Sequence, residues 1–285
     1  MKSMELKQKL RSKKAIIPVV VALALAGCGG ESHGESTKTS AGPTPAKTLN
    51  PNKSGQAPAG GKIGYDVSYP NKTNLPKPGA FAIVGLNGIN AATFNPYFKR
   101  QMAWAEKSTG DTGSPQVPKV SIYVHTANPG PTVPDWPTTG KNAAGTCNGD
   151  NSPACAYQYG ENLAQNDIAH EGDTNVDTVW LDVEGTEDGY TWQKSKASNA
   201  TVLEGMTQGF ENHGDTVGIY SGTYDYNLTI GGVKETGGLT GLPNWILGAT
   251  TLHDAKANCH PQLGFTGKIV MAQIAGPTLD KNITC

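Results

Sequence analysis

Two carboxylates stand one residue apart where a hydrophobic run ends. The stretch TVWLDVEG, residues 178–185, carries Asp182 and Glu184. In an extended chain, side chains at positions i and i+2 lie on the same face. Adjacent like charges are costly, and active sites use that cost to keep one carboxyl group protonated while its neighbour is ionised. The pattern therefore predicts a catalytic pair whose pKa values are split; the alternative is a solvated strand end that leads into an acidic loop.

The elements that must position this pair alternate along the chain. Short apolar segments alternate with longer amphipathic ones, which predicts a parallel sheet with crossover helices. Helices are predicted to begin at Asn95, at Ala154 and at Asn199, with Asn199 as an N-cap. The predicted strands are 62–69, 80–88, 119–127, 177–185, 216–222, 244–251 and 268–276.

Regular βα units followed by strands with little helix between them fit a barrel. In such barrels catalytic groups lie at the C-terminal ends of strands. Asp66 lies near the end of the first predicted strand, His125 near the end of the third, and Asp280 just beyond the last. We expect these side chains to converge with Asp182 and Glu184 on one mouth. The alternatives are a structural carboxylate at Asp66, a packed histidine at His125 and a simple turn at Asp280.

Five short motifs occur in an order that resembles the family 25 glycoside hydrolases. They are YDVSYPN, VWLDVEG, VGIYSGTYDY, NWILGATTL and MAQIAGPTLDKN, and together they span nearly all of residues 64–282. The resemblance implies a lysozyme-like muramidase that cuts peptidoglycan, built as a single domain on an irregular, TIM-like (β/α)5β3 barrel of the α/β class.

The resemblance also implies roles for the carboxylates. Glu184 matches the general acid of the family, and Asp182 matches the carboxylate that assists it by orienting or stabilising the acetamido group of the substrate. Asp66 matches the Asp of the first-strand DVS, and Asp280 matches the Asp near the C-terminus. Glycoside hydrolysis needs a proton donor to the leaving oxygen and negative charge near an oxocarbenium-like centre, which this set would supply.

Three further residues are predicted to bind substrate: Tyr220, His125 and Gln273. The sequence departs from the family pattern by an insertion, residues 129–151, which contains Trp136. No cofactor and no metal site is predicted. The metal alternative rests only on the NCH at residues 258–260 and the distant His253.

The N-terminal residues predict export and lipidation. Residues 1–27 hold six basic residues and one Glu, followed by an apolar run and the sequence LAGC. This ending resembles a bacterial lipobox, which implies a lipidated Cys28; a signal peptide with an incidental Cys is the alternative. Residues 28–61 are rich in Gly, Ser, Thr and Pro and predict a flexible tether. Residues 62–285 would then form a barrel domain on the outer face of a bacterial cell membrane.

Four cysteines remain after Cys28, and an even number in an exported chain predicts disulfides. Pairing Cys147 with Cys155 and Cys259 with Cys285 is the most economical of the three possible connectivities, because each bond closes a loop inside one stretch of sequence.

The charge balance excludes some partners. Without residues 1–27, the chain keeps 17 basic and 23 acidic residues, which argues against a nucleic-acid partner and against a polybasic membrane contact. The predicted partners are cell-wall glycan and, through Cys28, the membrane; the oligomeric state is left open. The alternative function is a catalytically inactive barrel lipoprotein that binds glycan or serves as an envelope scaffold.

Overall fold

A computed structural model describes residues 61–285 except 173, 175, 186–190 and 232–236. The chain divides into two compact units, residues 1–51 and 52–285, and the first lies outside the described residues. The predicted signal peptide, Cys28 and nearly all of the tether fall there as well. Among the helices of the described ranges, none has the length and apolar character needed to span a membrane.

Eight strands close a barrel in the order β1-β2-β3-β6-β7-β8-β9-β10. From β1 to β9 in this order, each strand runs parallel to the next. These seven strands match the seven predicted strands. Their bounds are Ile63–Val67 (β1), Ala82–Gly85 (β2), Val120–His125 (β3), Thr178–Asp182 (β6), Thr216–Ser221 (β7), Asn244–Ala249 (β8) and Ile269–Ile274 (β9).

The eighth strand corrects the prediction for the C-terminal region. Asp280 does not lie in a turn beyond the last strand, because it begins β10, Asp280–Thr284. This strand runs antiparallel to both β1 and β9 and places Asp280 opposite Asp66. Its first three residues, Asp-Lys-Asn, are polar and do not predict a strand. The strand forms because β1 and β9 satisfy its backbone hydrogen bonds on both sides.

Helices cover the outside of the barrel. They are α1 (Phe98–Ala105), α2 (Pro153–Glu171), α3 (Lys196–His213), α4 (Thr223–Thr229) and α5 (Leu252–Asn258), of which α4 and α5 were not predicted. Helices α2 and α3 approach closely at two glycines. A Cβ on Gly160 would lie 2.0 Å from the Val202 carbonyl oxygen, and one on Gly205 would lie 2.1 Å from the Tyr157 carbonyl oxygen.

The predicted N-cap of α3 is wrong. Ser195 caps this helix, because its side chain accepts a hydrogen bond from the Ser198 backbone N–H. Asn199 lies inside the first turn and is buried. Its amide group donates to the carbonyl oxygens of Gln193 and Thr229 at 2.9 and 3.0 Å. The side chain therefore ties the helix to two loops instead of capping it.

The barrel interior is filled by side chains and is not a pore. Large residues from several strands form one buried cluster that includes Phe81, Ile83, Trp180, Tyr220, Trp245 and Met271. Glycine makes room for their rings. A Cβ on Gly218 would lie 2.4 Å from the Trp180 ring, and one on Gly85 would lie 2.6 Å from the Tyr123 ring.

The structure contains both predicted disulfides, Cys147–Cys155 and Cys259–Cys285. The first pins the insertion at residues 129–151, which forms a small hairpin of β4 (Gly140–Asn142) and β5 (Gly145–Cys147). Trp136 of this insertion stacks on Tyr159 of α2, with 5.2 Å between the ring centroids. Cys259 is committed to its disulfide, which removes the thiolate on which the metal alternative depended.

Candidate active site

Asp66 lies at the centre of a hydrogen-bond network inside the barrel mouth. Its Oδ1 accepts hydrogen bonds from Asn282 Nδ2 at 2.7 Å and from Gln273 Nε2 at 3.2 Å. Each donor is held in turn. Trp245 Nε1 donates to Asn282 Oδ1 at 2.8 Å, and the Tyr220 hydroxyl donates to Gln273 Oε1 at 2.9 Å. Five strands thus fix the orientation of one carboxyl group.

The surroundings of Asp66 shift its proton affinity. Burial raises the pKa of Asp66 from its usual 3.8 to about 7, and the charge of Asp280 on the neighbouring strand acts in the same direction. The hydrogen bonds from Asn282 and Gln273 oppose the shift because they favour the ionised form. Asp66 therefore changes its charge near neutral pH.

Asp182 ends β6 and is almost completely buried, with 2% of its surface exposed. The strand register places it between His125 on β3 and Tyr220 on β7. His125 Nδ1 lies 3.7 Å from Asp182 Oδ2. The predicted neighbourhood of Asp182 and His125 is present, and His125 is partly buried at the edge of the mouth.

The backbone that carries Asp182 and Glu184 is anchored residue by residue. Thr126 Oγ1 donates to the Asp182 carbonyl oxygen at 2.6 Å, and Ser221 Oγ donates to the Val183 carbonyl oxygen at 2.5 Å. Trp192 Nε1 donates to the Glu184 carbonyl oxygen at 2.7 Å. These bonds fix the strand end up to Glu184, whose side chain is partly exposed.

Besides burial, the charges of all four predicted catalytic carboxylates raise the pKa of one hydroxyl group, that of Tyr220. Burial raises the pKa of Tyr220 well above its usual value, and negative charges add to the shift. The contributing charges, in decreasing order, are those of Glu184, Asp182, Asp66 and Asp280. Residues from three separate parts of the sequence therefore converge around Tyr220, which stays a neutral hydrogen-bond donor.

Tyr123 occupies the same space. Burial raises its pKa most, followed by the charge of Asp182, and the charges of Asp66 and Glu184 add to the shift, whereas a hydrogen bond with Ser68 opposes it. Its ring centroid lies 6.5 Å from that of Tyr220 and 6.2 Å from that of His125. Tyr123 thus lies near three of the carboxylates that act on Tyr220.

Asn282 and Trp245 were not predicted as parts of this hydrogen-bond network. The i, i+2 rule that linked Asp182 to Glu184 also links Asp280 to Asn282, but it applies only once β10 is recognised as a strand. Trp245 orients Asn282 through its indole N–H. In the ranges that the structure describes, no three His, Cys, Asp or Glu side chains are grouped to hold a metal ion.

Solved structures share this architecture. A muramidase from Acremonium alcalophilum is 15% identical with a TM-score of 0.51, and the match covers 78% of this chain and 93% of that one. A family GH25 lysozyme from Aspergillus fumigatus is 12% identical with a TM-score of 0.51, and the match covers 79% and 94%. The domain has the fold of a family 25 glycoside hydrolase. In this lysozyme-like barrel, Asp182 ends β6 and Glu184 follows two residues later.

Sequence comparisons point to the same type of domain over a shorter segment. Residues 154–258 of the lysozyme-like barrel match the family described as "Lysozyme-like protein 1". "Lysozyme-like protein 5" of Caenorhabditis elegans is 31% identical over 77 residues, which make up 27% of this chain and 34% of that protein. The chain thus matches about a third of the length of this curated relative. The family match includes Asp182, Glu184 and Tyr220 but neither Asp66 nor Asp280.

Proposed function

We propose that the lysozyme-like barrel is a muramidase-type glycoside hydrolase that cuts the glycan of peptidoglycan. The convergence of four carboxylates on Tyr220 carries this proposal, because acid-catalysed cleavage of a glycosidic bond needs a proton donor and negative charge within one site. The fold shared with a muramidase and a lysozyme supports the same reaction class.

In the proposed mechanism, Glu184 is the general acid. Its partly exposed side chain stands where a substrate can reach it. It protonates the leaving oxygen as the bond between that oxygen and the anomeric carbon breaks, and water then adds to the anomeric carbon and returns a proton to the Glu184 carboxylate. Asp182 is buried beside it, and its ionised form stabilises the positive charge that develops on the sugar or orients the acetamido group. His125 faces Asp182 and contributes to the position of that carboxylate.

Asp66 and Asp280 supply the negative charge on the opposite side of the mouth. Because the pKa of Asp66 is about 7, its charge develops near neutral pH, and its contribution to a cationic transition state grows above that pH. Gln273 and Tyr220 act on Asp66 as positioning residues, since they reach it through one continuous chain of hydrogen bonds.

We further propose that lipidated Cys28 anchors the chain to the outer face of a bacterial membrane. The lipobox-like LAGC and the tether at residues 28–61 support this location. Random-coil scaling gives that tether a reach of about 30 Å, so the domain could work on glycan close to the membrane. Loss of lipid labelling in Cys28→Ser would support the anchor, and unchanged labelling would refute it.

The decisive experiment is the release of new reducing ends from purified peptidoglycan by the full-length chain and by Glu184→Gln. The variant should lower the rate about 10³-fold, the range expected for a general acid. Glu211→Gln is the matched control, because Glu211 is an exposed carboxylate on α3. Undiminished activity in Glu184→Gln would refute the proposed acid. Retention of the unaltered protein on glycan that it does not cut would favour the binding-protein alternative.

A further inference from the structure

A cationic groove lies on the outside of the barrel, between the loop that follows β1 and helix α1. It encloses about 380 Å³. Lys72, Arg100 and Lys107 line it and are exposed, and the apolar parts of Leu75 and Trp104 form its floor. Nothing in the proposed hydrolysis uses these residues.

The positive charge of the groove contrasts with the rest of the chain. Residues 67–105 contain four basic residues and no Asp or Glu, and Arg100 is the only arginine after Arg11. The next acid along the chain, Glu106, is engaged with Lys119 at 3.2 Å. The groove is therefore a concentrated patch of positive charge on a domain in which acids outnumber bases.

The walls of the groove are held rigidly. Trp104 Nε1 donates to the Pro76 carbonyl oxygen at 2.6 Å. The buried Gln101 side chain donates to the carbonyl oxygens of Ser68 and Asn71 at 2.7 and 3.0 Å. Helix and loop are thus joined on both sides of the cavity, and a ligand would meet a groove that is already formed.

The loop that follows β1 connects the site of the carboxylates to the groove. Ser68 follows Asp66 by two residues, and Asn71 Nδ2 donates to the carbonyl oxygen of Thr278, two residues before Asp280. Helix α1 follows β2 and runs back along the barrel, so its first turn, which includes Arg100, lies at the same end as the mouth. A polymer lying across the carboxylates would therefore come closest to the groove at Arg100, whereas Lys107 follows the far end of the helix.

We propose that the cationic groove binds the anionic substituents of the cell-wall glycan while the sugar chain lies in the mouth. The arginine fork and the lysine ammonium groups fit two chemistries on the same polymer, the carboxylates of peptide stems and the phosphates of attached chains. This inference rests on the proposed function and assigns to that site a preference for charged, fully substituted glycan.

Binding of the full-length Glu184→Gln protein to intact, purified cell-wall sacculi tests the groove, because this background leaves the polymer uncut. Adding Arg100→Gln, Lys72→Gln and Lys107→Gln should weaken binding about tenfold, since three exposed charge contacts each contribute roughly a factor of two to three. The loss should shrink as NaCl rises from about 0.05 to about 0.5 M, because salt screens exposed charges.

A second triple variant removes the same number of positive charges elsewhere. Lys141, Lys256 and Lys268 are exposed and lie outside both the mouth and the groove. Their replacement by Gln should leave the dissociation constant within about a factor of two, the scale of long-range effects of net charge in salt. Equal losses in the two triple variants would overturn the groove as a specific site.

Treated sacculi identify the anionic group. Hydrofluoric acid removes phosphate-linked chains, and carbodiimide coupling to glycinamide neutralises carboxylates. If one treatment abolishes the difference in binding between the groove variant and its control, the group that it removes is the ligand of the groove. A difference in binding that survives both treatments combined refutes the proposal.

Hydrolysis by proteins with Glu184 intact separates the two proposals. If the protein cleaves glycan but the two triple variants bind equally, the muramidase proposal stands and the groove proposal is refuted. If binding depends on the groove charges but no cleavage occurs, the groove proposal stands and the muramidase proposal is refuted. If the protein does not bind, both proposals are refuted.

Discussion

Replacing Asp66 with Asn should stabilise the domain more at pH 8 than at pH 4. The substitution keeps the shape of the side chain and an oxygen that can accept hydrogen bonds from Asn282 and Gln273, but it removes the ionisable group. At pH 4 the Asp66 carboxyl is neutral in the folded protein and roughly half ionised in the unfolded chain, so only a small part of the charge effect remains. At pH 8 only the original protein carries a charge at this partly buried position.

The size of the effect follows from the shift in pKa. Because Asp66 has a pKa of about 7 when folded and 3.8 as an ordinary side chain, the folded protein holds this proton more tightly than the unfolded chain. The stability from the neutral form is complete below pH 3.8 and is lost as the pH rises through 7. At 1.36 kcal/mol per pKa unit the upper bound is about 4 kcal/mol. Partial exposure of Asp66 lowers the expected value to about 2 kcal/mol.

The measurement is guanidinium unfolding of the full-length chain at pH 4 and pH 8, followed by the fluorescence of the buried tryptophans Trp180 and Trp245. The quantity of interest is the change between the two pH values in the difference in unfolding free energy between variant and original, because titrations that are independent of Asp66 cancel in it. Asp135→Asn, at an exposed carboxylate, is the control and should show no such change. A change for Asp66→Asn below about 0.5 kcal/mol, within the usual error of extrapolation, would refute the reasoning.

Three further perturbations test the packing and the network around the site. Tyr220→Phe removes one hydroxyl donor and should cost about 1 kcal/mol of unfolding free energy; a stability loss without any loss of hydrolysis would argue against its positioning role. Gly218→Ala places a Cβ 2.4 Å from the Trp180 ring and should cost about 3 kcal/mol, so an unchanged melting temperature would contradict the packing. Replacing Cys259 and Cys285 by Ser opens a separation of 26 residues and should cost about 3.5 kcal/mol, against about 2.5 kcal/mol for the other disulfide, whose separation is 8. Equal costs in denaturant titrations of the two double variants would contradict this ranking.

The parallel part of the barrel could be predicted from the sequence because its strands are apolar on both faces. Residues such as those of β6, from Thr178 to Asp182, are buried without exception, and such runs bounded by glycine or polar residues are typical of parallel strands. The positions of Asp66, Asp182 and Glu184 followed from the same pattern, since barrels place polar groups where these runs end.

The antiparallel closure could not be predicted in this way. Strand β10 begins with charged and polar residues, and Asn282 in its middle is completely buried because its hydrogen bonds to Asp66 and Trp245 compensate for burial. From the sequence alone, a polar residue such as Asn282 is predicted to lie in an exposed loop. The start of α3 was misplaced for a related reason, because Ser195 and Asn199 are both good capping residues and only the fold decides between them.

The position of β10 in the barrel also determines when the site can form during protein synthesis. Asn282 meets Asp66 across 216 residues of chain, and Asp280 belongs to the same strand. A nascent chain that has not yet extended to Thr284 lacks the strand that fills the gap between β1 and β9. The carboxylate cluster therefore assembles only after nearly the whole domain has been translated, and a prematurely terminated product would carry Glu184 without Asp280 and Asn282.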